Sequence, residues 1–559
     1  MADLGGQSGS HEIPAQKATL LLFPLLALLL ALRFFLLPRS SSKQQSIHGS
    51  SSSSKELPLP PSPPGLPIIG HLHLVGDRPH VSLRDLAARH AGGGEDGGGG
   101  GLMLLRLGAV RNVVVSSAGA AEAAMRAQDH AMASRPRSAV VEALLQGAMD
   151  VAFAPYGERW RQSRKLVTAH LLTFKKVKSF THARHDEVRQ AIAKIREAAA
   201  TGAGAAVNMS DVLYSFANDV VCRAVSGKFF RAEGRDRLFR ELIEMNTALI
   251  DGFNVGDYFP GLARFDLLTK GVCGKANKLG QRWHELLDKL IDDHASKASS
   301  MMMPTSTVEE EQNKQREEGD FIDVLLSLQH EYGLDRNHMK AILMDMFAAG
   351  TDTSYIVMEF AIAELIQNPN IMAKLQYEVR TNVPKSQDMV LEENLGDMTY
   401  LKAVVKETLR LHPPVPLLLP RQSMTDCDIN GYRIPAQTRV IINAWAISRD
   451  PKIWDKAEEF VPERFITGST KSIDFKGNDF QFTPFGAGRR ICPGLNFGLA
   501  SVEIMLANLI YHFNWELPNG MAKEDIDMTD VFGLTMRRKE KLFLVPRPYD
   551  TRHALQDQN

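Results

Sequence analysis

The stretch FGAGRRICPG, Phe485 to Gly494, decides how the rest of the chain is read. It sets Cys492 among glycines, two residues after Arg490, and the apolar, helix-compatible run LNFGLASVEIMLANLIYHF follows directly. A lone cysteine is most often a small buried hydrophobe. A thiolate in a loop that opens a helix is different, because it gains from the positive end of the helix and from N–H groups that glycines leave unobstructed. Iron can be bound there. A guanidinium two residues away then suits a carboxylate of the iron-carrying group, since arginine pairs with carboxylates bidentately.

The 559-residue chain balances 65 Lys and Arg against 65 Asp and Glu. No bulk field therefore points to nucleic acid or to an acidic substrate, and none is expected as a partner. Cysteines stand at 222, 273, 427 and 492 with no close pair, which argues against a zinc site or a disulfide framework and for free thiols. Asn208-Met209-Ser210 matches a glycosylation sequon and is read as incidental.

Residues 1–17 are a short tail. Ala18 to Leu37, ATLLLFPLLALLLALRFFLL, is long and apolar enough for a transmembrane anchor. A cleaved signal peptide is the rival reading, but the start is not basic and no convincing cleavage site follows. Arg33, Arg39 and Lys43 lie downstream, so the remainder is expected on the cytoplasmic side of a single-pass span. Residues 38–70 read as a polar, then proline-rich linker whose second half, PLPPSPPGLPIIG, is a stiff extended spacer. One large domain is expected over 71–546, with a C-terminal tail at 547–559. Its fold class is mainly α with a small β portion, including LMLLRL (102–107), NVVVSS (112–117) and TRVIINAWAI (438–447). The stretches 91–101 and 299–320 read as loops, and no internal repeat is present.

Three further stretches break or strain local rules. AAGTDTS, 348–354, puts glycine and three hydroxyl residues inside a helical pattern running roughly from Leu334 to Ile366, although both residue types weaken a helix interior. KETLR places Glu407 and Arg410 on one helix face, which alone is usually a solvated pair of little worth. ERWRQSR places Trp160 and Arg164 on one face of what otherwise reads as an amphipathic surface helix.

With the cysteine loop, these landmarks resemble the cytochrome P-450 superfamily of haem-thiolate monooxygenases, over nearly the whole chain. The resemblance implies the single-domain fold of that family and haem b as cofactor, with Cys492 as the iron ligand and Phe485 and Arg490 beside it. It assigns Trp160 and Arg164, with Arg421 in PRQS, to the haem propionates, and Asp352 and Thr353 to proton delivery where small residues leave room for dioxygen. It makes Glu407, Arg410 and Arg464 of PERF a buried scaffold cluster. It also implies electrons from NADPH through NADPH-cytochrome P-450 reductase, with Arg159, Arg161, Lys165, Lys402, Lys406 and Arg489 as a basic docking face, and the endoplasmic reticulum membrane as location.

The resemblance also places substrate-facing positions at Val140 to Asp150, around Phe347 and Ala348, at Val415 to Leu419 and at Phe532 to Thr535, where Ala348, Val415, Leu417, Leu418, Phe532 and Leu534 are apolar. Further stretches such as ASRPRS and FAAGTDTSY are most similar to the plant microsomal branch, in particular to grass enzymes that hydroxylate indole-derived rings on the route to benzoxazinones. A terpenoid or phenylpropanoid substrate is the alternative. A haem-thiolate isomerase or dehydratase, or a non-catalytic membrane haem protein, also stays open.

Overall fold

The structure, a computed structural model, describes residues 57–91, 100–147, 150–200, 202, 204–227, 235–252, 254–261, 267–301 and 319–549. The expected membrane anchor at 18–37 and the serine-rich half of the linker lie outside these residues. Among the described residues no helix is long and apolar enough to cross a membrane.

The site depends on seven helices: α1 (Glu158–Leu166), α2 (Met209–Ser226), α3 (Arg235–Asp251), α4 (Leu267–Met301), α5 (Arg336–Gln367), α6 (Thr399–Leu411) and α7 (Leu495–His512). Asp335 starts α5, its carboxylate accepting from the His338 N–H at 2.7 Å. Apolar residues surround this helix rather than forming one stripe, so it runs through the middle of the core, packed by α2, α3, α6 and α7. Gly350 sits where α5 meets α2, and a Cβ there would lie 2.8 Å from Val221 Cγ2. The glycine of AAGTDTS thus answers to helix–helix approach, whereas room for dioxygen was its expected purpose.

The sheet is small. β1 (Leu102–Leu107) pairs antiparallel with β2 (Val110–Val115), from Leu102↔Val115 to Leu107↔Val110. β2 runs parallel to β4 (Arg439–Ile442), and β3 (Arg421–Gln422) completes the edge antiparallel to β4. Two expected strands end earlier than read from the sequence. Ser117 ends the second by accepting from Ala120 N–H as a helix cap, and Asn443 ends β4 by accepting from Ala446 N–H at 3.0 Å, turning Ala444–Ile447 into a helical turn.

The proline-rich stretch is extended as expected but is no free spacer. Pro61 accepts from Leu104 N–H at 2.8 Å and Pro58 from Arg433 N–H at 2.9 Å, while Gly70 bridges to Leu107. Prolines cannot donate, but their carbonyls can satisfy the open edge of β1. At the other end the strand Phe543–Pro548 pairs with Phe513–Glu516, so ordered structure continues past 546.

Candidate active site

The cysteine loop is shaped by its own backbone and by one distant carboxylate. Cys492 N–H donates to the Phe485 carbonyl at 2.9 Å and Ile491 N–H to Gly488 at 3.1 Å, closing the turn in front of α7. Asp129 accepts from the Arg489 N–H and, at 2.7 Å, from its side chain, and also from Arg421 at 3.1 Å. Gly488 lies at φ +66°, and a Cβ there would come within 2.4 Å of Asp129 Oδ1. Burial pushes the Cys492 thiol up, against the pull of the Gly494 and Leu495 N–H groups and of Arg164. A bound metal deprotonates such a thiol outright.

The loop forms one wall of a cavity of about 310 Å³, also lined by Arg135, Arg164, Arg421 and Arg490. These guanidiniums converge with only partial counter-charge, Asp129 on Arg421 and Asp150 near Arg490 and Arg135. Arg490 donates to the carbonyls of Ala133, Val151 and Ala154 at 2.7, 3.3 and 2.6 Å. Arg135 is spent on the carbonyls of Ala152, Leu419 and Pro420, and Arg164 donates to that of Ile491. Burial, with Arg421 nearby, pushes Arg490 down to about 9. Burial and then Arg490 and Arg421 hold Arg135 well below its ordinary value. Four cations crowded into one buried end call for an anion. Arg135 escaped sequence reading; its signal is the Arg-Pro pair in ASRPRS, which forces an extended backbone there.

Trp160 is placed differently from expectation. It is not among the residues lining the cavity; its Nε1 donates to the Val151 carbonyl at 3.0 Å and its ring lies 3.9 Å beneath the Arg490 guanidinium. The indole N–H is committed to backbone, so the ring orients Arg490 by cation–π contact from one layer behind. Arg164, one turn on in α1, does reach the cavity, as do Arg421, Phe485 and Arg490.

Across the cavity, α5 presents Ala348, Ala349, Asp352 and Thr353. Thr353 Oγ1 donates to the Ala349 carbonyl at 2.7 Å, so its oxygen meets the cavity as an acceptor. Asp352 Oδ2 accepts from Thr247 Oγ1 of α3 at 2.8 Å. The apolar walls include Leu144, Leu145, Val415, Leu418 and Leu534, as well as Ile250, Leu499 and Val502, which the sequence did not single out. Three expected wall residues point elsewhere. Phe347 stacks on Phe239 with centroids 4.1 Å apart, Phe532 stacks on His80, and Leu417 packs into the cluster under the sheet.

Two acids meet in the cavity wall. Asp345 of α5 accepts from the N–H groups of Val151 at 2.7 Å and Ala152 at 3.2 Å, and Asp150 from those of Phe153 and Ala154. Burial, then the Asp150 charge, hold the Asp345 carboxyl well above the usual range, and the two acids are hydrogen-bonded to each other. An unfolded aspartate titrates near ~4. The folded protein therefore binds more protons than the unfolded chain above that pH, and stability falls as pH rises towards the folded pKa of Asp345. Asp345→Asn keeps an oxygen for both N–H groups and donates to Asp150 at every pH. Its melting temperature should match or trail the parent near pH ~5 and exceed it near pH ~8, a gap opened by about 1.4 kcal/mol per pKa unit. Parallel melting curves across pH would remove the shared proton.

A sulfur donor at a helix start, beside four guanidiniums of which only Arg421 is ion-paired to a carboxylate, fits an iron porphyrin: thiolate for the metal and guanidiniums for two propionates. The chain belongs to the cytochrome P-450 family, whose sequence profile matches residues 60–545. It is a haem monooxygenase, with haem b as cofactor and a reductase as electron source.

Indole-2-monooxygenase of Zea mays is 54% identical over 96% of this chain and 97% of its own length. Indolin-2-one monooxygenase of Zea mays is 52% identical, covering 93% and 95%. A zebrafish cytochrome P-450 solved with abiraterone superposes with a TM-score of 0.68 over 85% of this chain and all of its own, at 22% identity, which speaks for the fold alone.

Proposed function

We propose that the protein hydroxylates a small bicyclic nitrogen heterocycle of the indole and indolin-2-one class. The observation that carries this reading is the 54% identity to indole-2-monooxygenase over 96% of the chain, which spans every segment that forms the cavity. The apolar walls contributed by Leu144, Val415, Leu418 and Leu534 suit a flat ring system.

When bound, haem activates O₂ and transfers one oxygen atom to the substrate, the other leaving as water. Cys492 ligates the iron, Phe485 packs beside it, and Arg135, Arg164, Arg421 and Arg490 hold the propionates, with Trp160 bracing Arg490. Thr353, its own proton committed to Ala349, accepts and so orders a proton donor at the cavity face. Asp352, fixed by Thr247, brings protons to that face from the α3 side.

NADPH-cytochrome P-450 reductase is the proposed electron donor, docking on exposed Arg159, Arg161, Lys165 and Arg489. Lys402 and Lys406 contribute less, being half-buried and drawn to the carbonyls of Gly396 and Ile473. Residues 18–37 anchor the chain once in the endoplasmic reticulum membrane, with the body from the proline-rich stretch onward facing the cytoplasm.

The test is to supply the membrane-bound protein with NADPH and a plant reductase and offer indole, indolin-2-one, a terpenoid and a phenylpropanoid separately. Oxidation of a heterocycle is the expected result. Oxidation of only a terpenoid or phenylpropanoid would remove the heterocycle reading and leave the monooxygenase in place.

A further inference from the structure

Phe532 leaves the cavity to its neighbours and turns outward onto a fixed seat. Asp530–Val531 pairs antiparallel with Arg537–Arg538, closing a hairpin whose tip brings Leu534 and Thr535 to the cavity. Behind the tip, Phe532 lies nearly parallel to the His80 ring, with 5.6 Å between centroids and 21° between planes, and His80 meets Trp445 edge-on at 4.8 Å. His80 is wholly buried, and both its ring nitrogens are sealed with no hydrogen-bond partner among the described residues. Its Nε2 is 3.6 Å from Asp530, too far for a hydrogen bond, and that carboxylate already accepts from Arg78 at 2.8 and 2.9 Å. Buried polar atoms are seldom left unpaired. This imidazole is therefore placed for its flat ring and not for its donors. The seat is anchored on the sheet side: Asn443, at the end of β4, donates to the His80 carbonyl at 2.8 Å, and Trp445 N–H donates to the Pro416 carbonyl at 3.1 Å. Met536 N–H donates to the Pro414 carbonyl at 2.8 Å, so the cavity walls at 414–419 and 534–535 are joined behind the cavity to one ring stack.

We propose that His80 is a positioning residue for the oxidation: through its stack on Phe532 it sets how far Leu534 and Thr535 stand into the cavity, and hence which position of the substrate is oxidised. His80 itself touches no substrate, since it is not among the residues lining the cavity. The hairpin needs such a support. Its strands pair over only two residues each, and a two-stranded hairpin holds its shape poorly by its ladder alone. A tilt about that short base would carry Leu534 with it. Misplacing a substrate by about 1 Å can cost about 100-fold in rate, so a small tilt of this wall is enough to change which position reacts. The inference does not depend on the heterocycle reading and holds for any substrate the cavity accepts.

The haem-loaded full chain, supplied with NADPH and a plant reductase, tests it on indolin-2-one by three readings: product ratio, product formed per NADPH consumed, and spectral Kd. His80→Ala should keep the thiolate-type carbon monoxide band yet bind the probe about 2- to 10-fold more weakly, the worth of one ring stack. Its product per NADPH should fall about threefold or more, with a changed product ratio. His80→Phe keeps the flat ring and drops two unpaired nitrogens, so it should stay within about twofold of the parent on all three readings. Phe532→Leu removes the stack from the hairpin side and should shift the product ratio in the same direction as His80→Ala; it decides the matter if His80→Ala does not hold haem. A lower melting temperature in His80→Ala, with the parent's product ratio and coupling, would reduce His80 to scaffold and overturn the proposal. A His80→Phe that behaves like His80→Ala, or a Phe532→Leu with the parent's product ratio, would overturn it as well. If the parent does not oxidise indolin-2-one, the same comparison is made on whichever of indole, geraniol or cinnamic acid it does oxidise, so the two readings fail separately.

Discussion

Replacing Cys492 by Ser should abolish turnover and the strongly red-shifted Soret band of the reduced carbon monoxide complex. The loop geometry is why the loss should be this complete. The sulfur sits where the Gly494 and Leu495 N–H groups and Arg164 favour its anion, at the start of α7, and a serine hydroxyl in the same place does not ionise to a comparable ligand. The substitution changes one atom and little volume, so the fold should persist and the effect should be electronic. Cys222 is buried in the core of α2 and Cys427 lies in a short surface strand, so Ser or Ala at either should keep the band, as at Cys273. A thiolate-type band in Cys492→Ser would remove the ligand assignment.

What the sequence reveals and what it hides divide along a physical line. The cysteine loop, the start of α5 and the Glu407–Arg410 pair are legible because each is a local pattern, set by residues within a turn or two of one another. The partners that complete them come from far away. Asp129, which clamps Arg489 and Arg421, lies in a stretch with no pattern of its own, and Arg135 is marked by a following proline and nothing else. The parallel pairing of β2 with β4 joins segments from opposite ends of the chain and is set by packing rather than propensity. The pocket walls fail for a related reason. Leu417 and Leu418 are equally apolar neighbours, yet one packs under the sheet and the other faces the cavity, and composition cannot tell the two directions apart. Trp160 shows the same limit, since spacing placed it on the right helix face while the Val151 carbonyl, from a separate loop, claimed its N–H.

Glu407→Ala should cost the folded protein about 3–5 kcal/mol, the penalty of stranding a buried charge partner. Glu407 and Arg410 are wholly buried and Arg464 nearly so. One carboxylate serves them all: Arg410 donates at 2.8 and 2.9 Å, Arg464 at 3.1 Å, and the Val461 N–H at 2.8 Å. Through these bonds α6 is tied to the segment from Ser448 to Arg464, whose carbonyls at Ser448, Ala457 and Glu459 take the remaining Arg410 donors. Removing the carboxylate leaves two guanidiniums in a core that cannot hydrate them. Native proteins hold only about 5–15 kcal/mol of net stability, so such a loss is a large fraction of the whole. The expected result is a clearly lower unfolding midpoint and poor haem loading, with Glu407→Gln intermediate because it keeps an acceptor but not the charge. The fraction that does load haem should retain the thiolate-type carbon monoxide band, which separates a scaffold role from a ligand role. Denaturation midpoints indistinguishable from the parent would show that the cluster is no more than an adornment of α6.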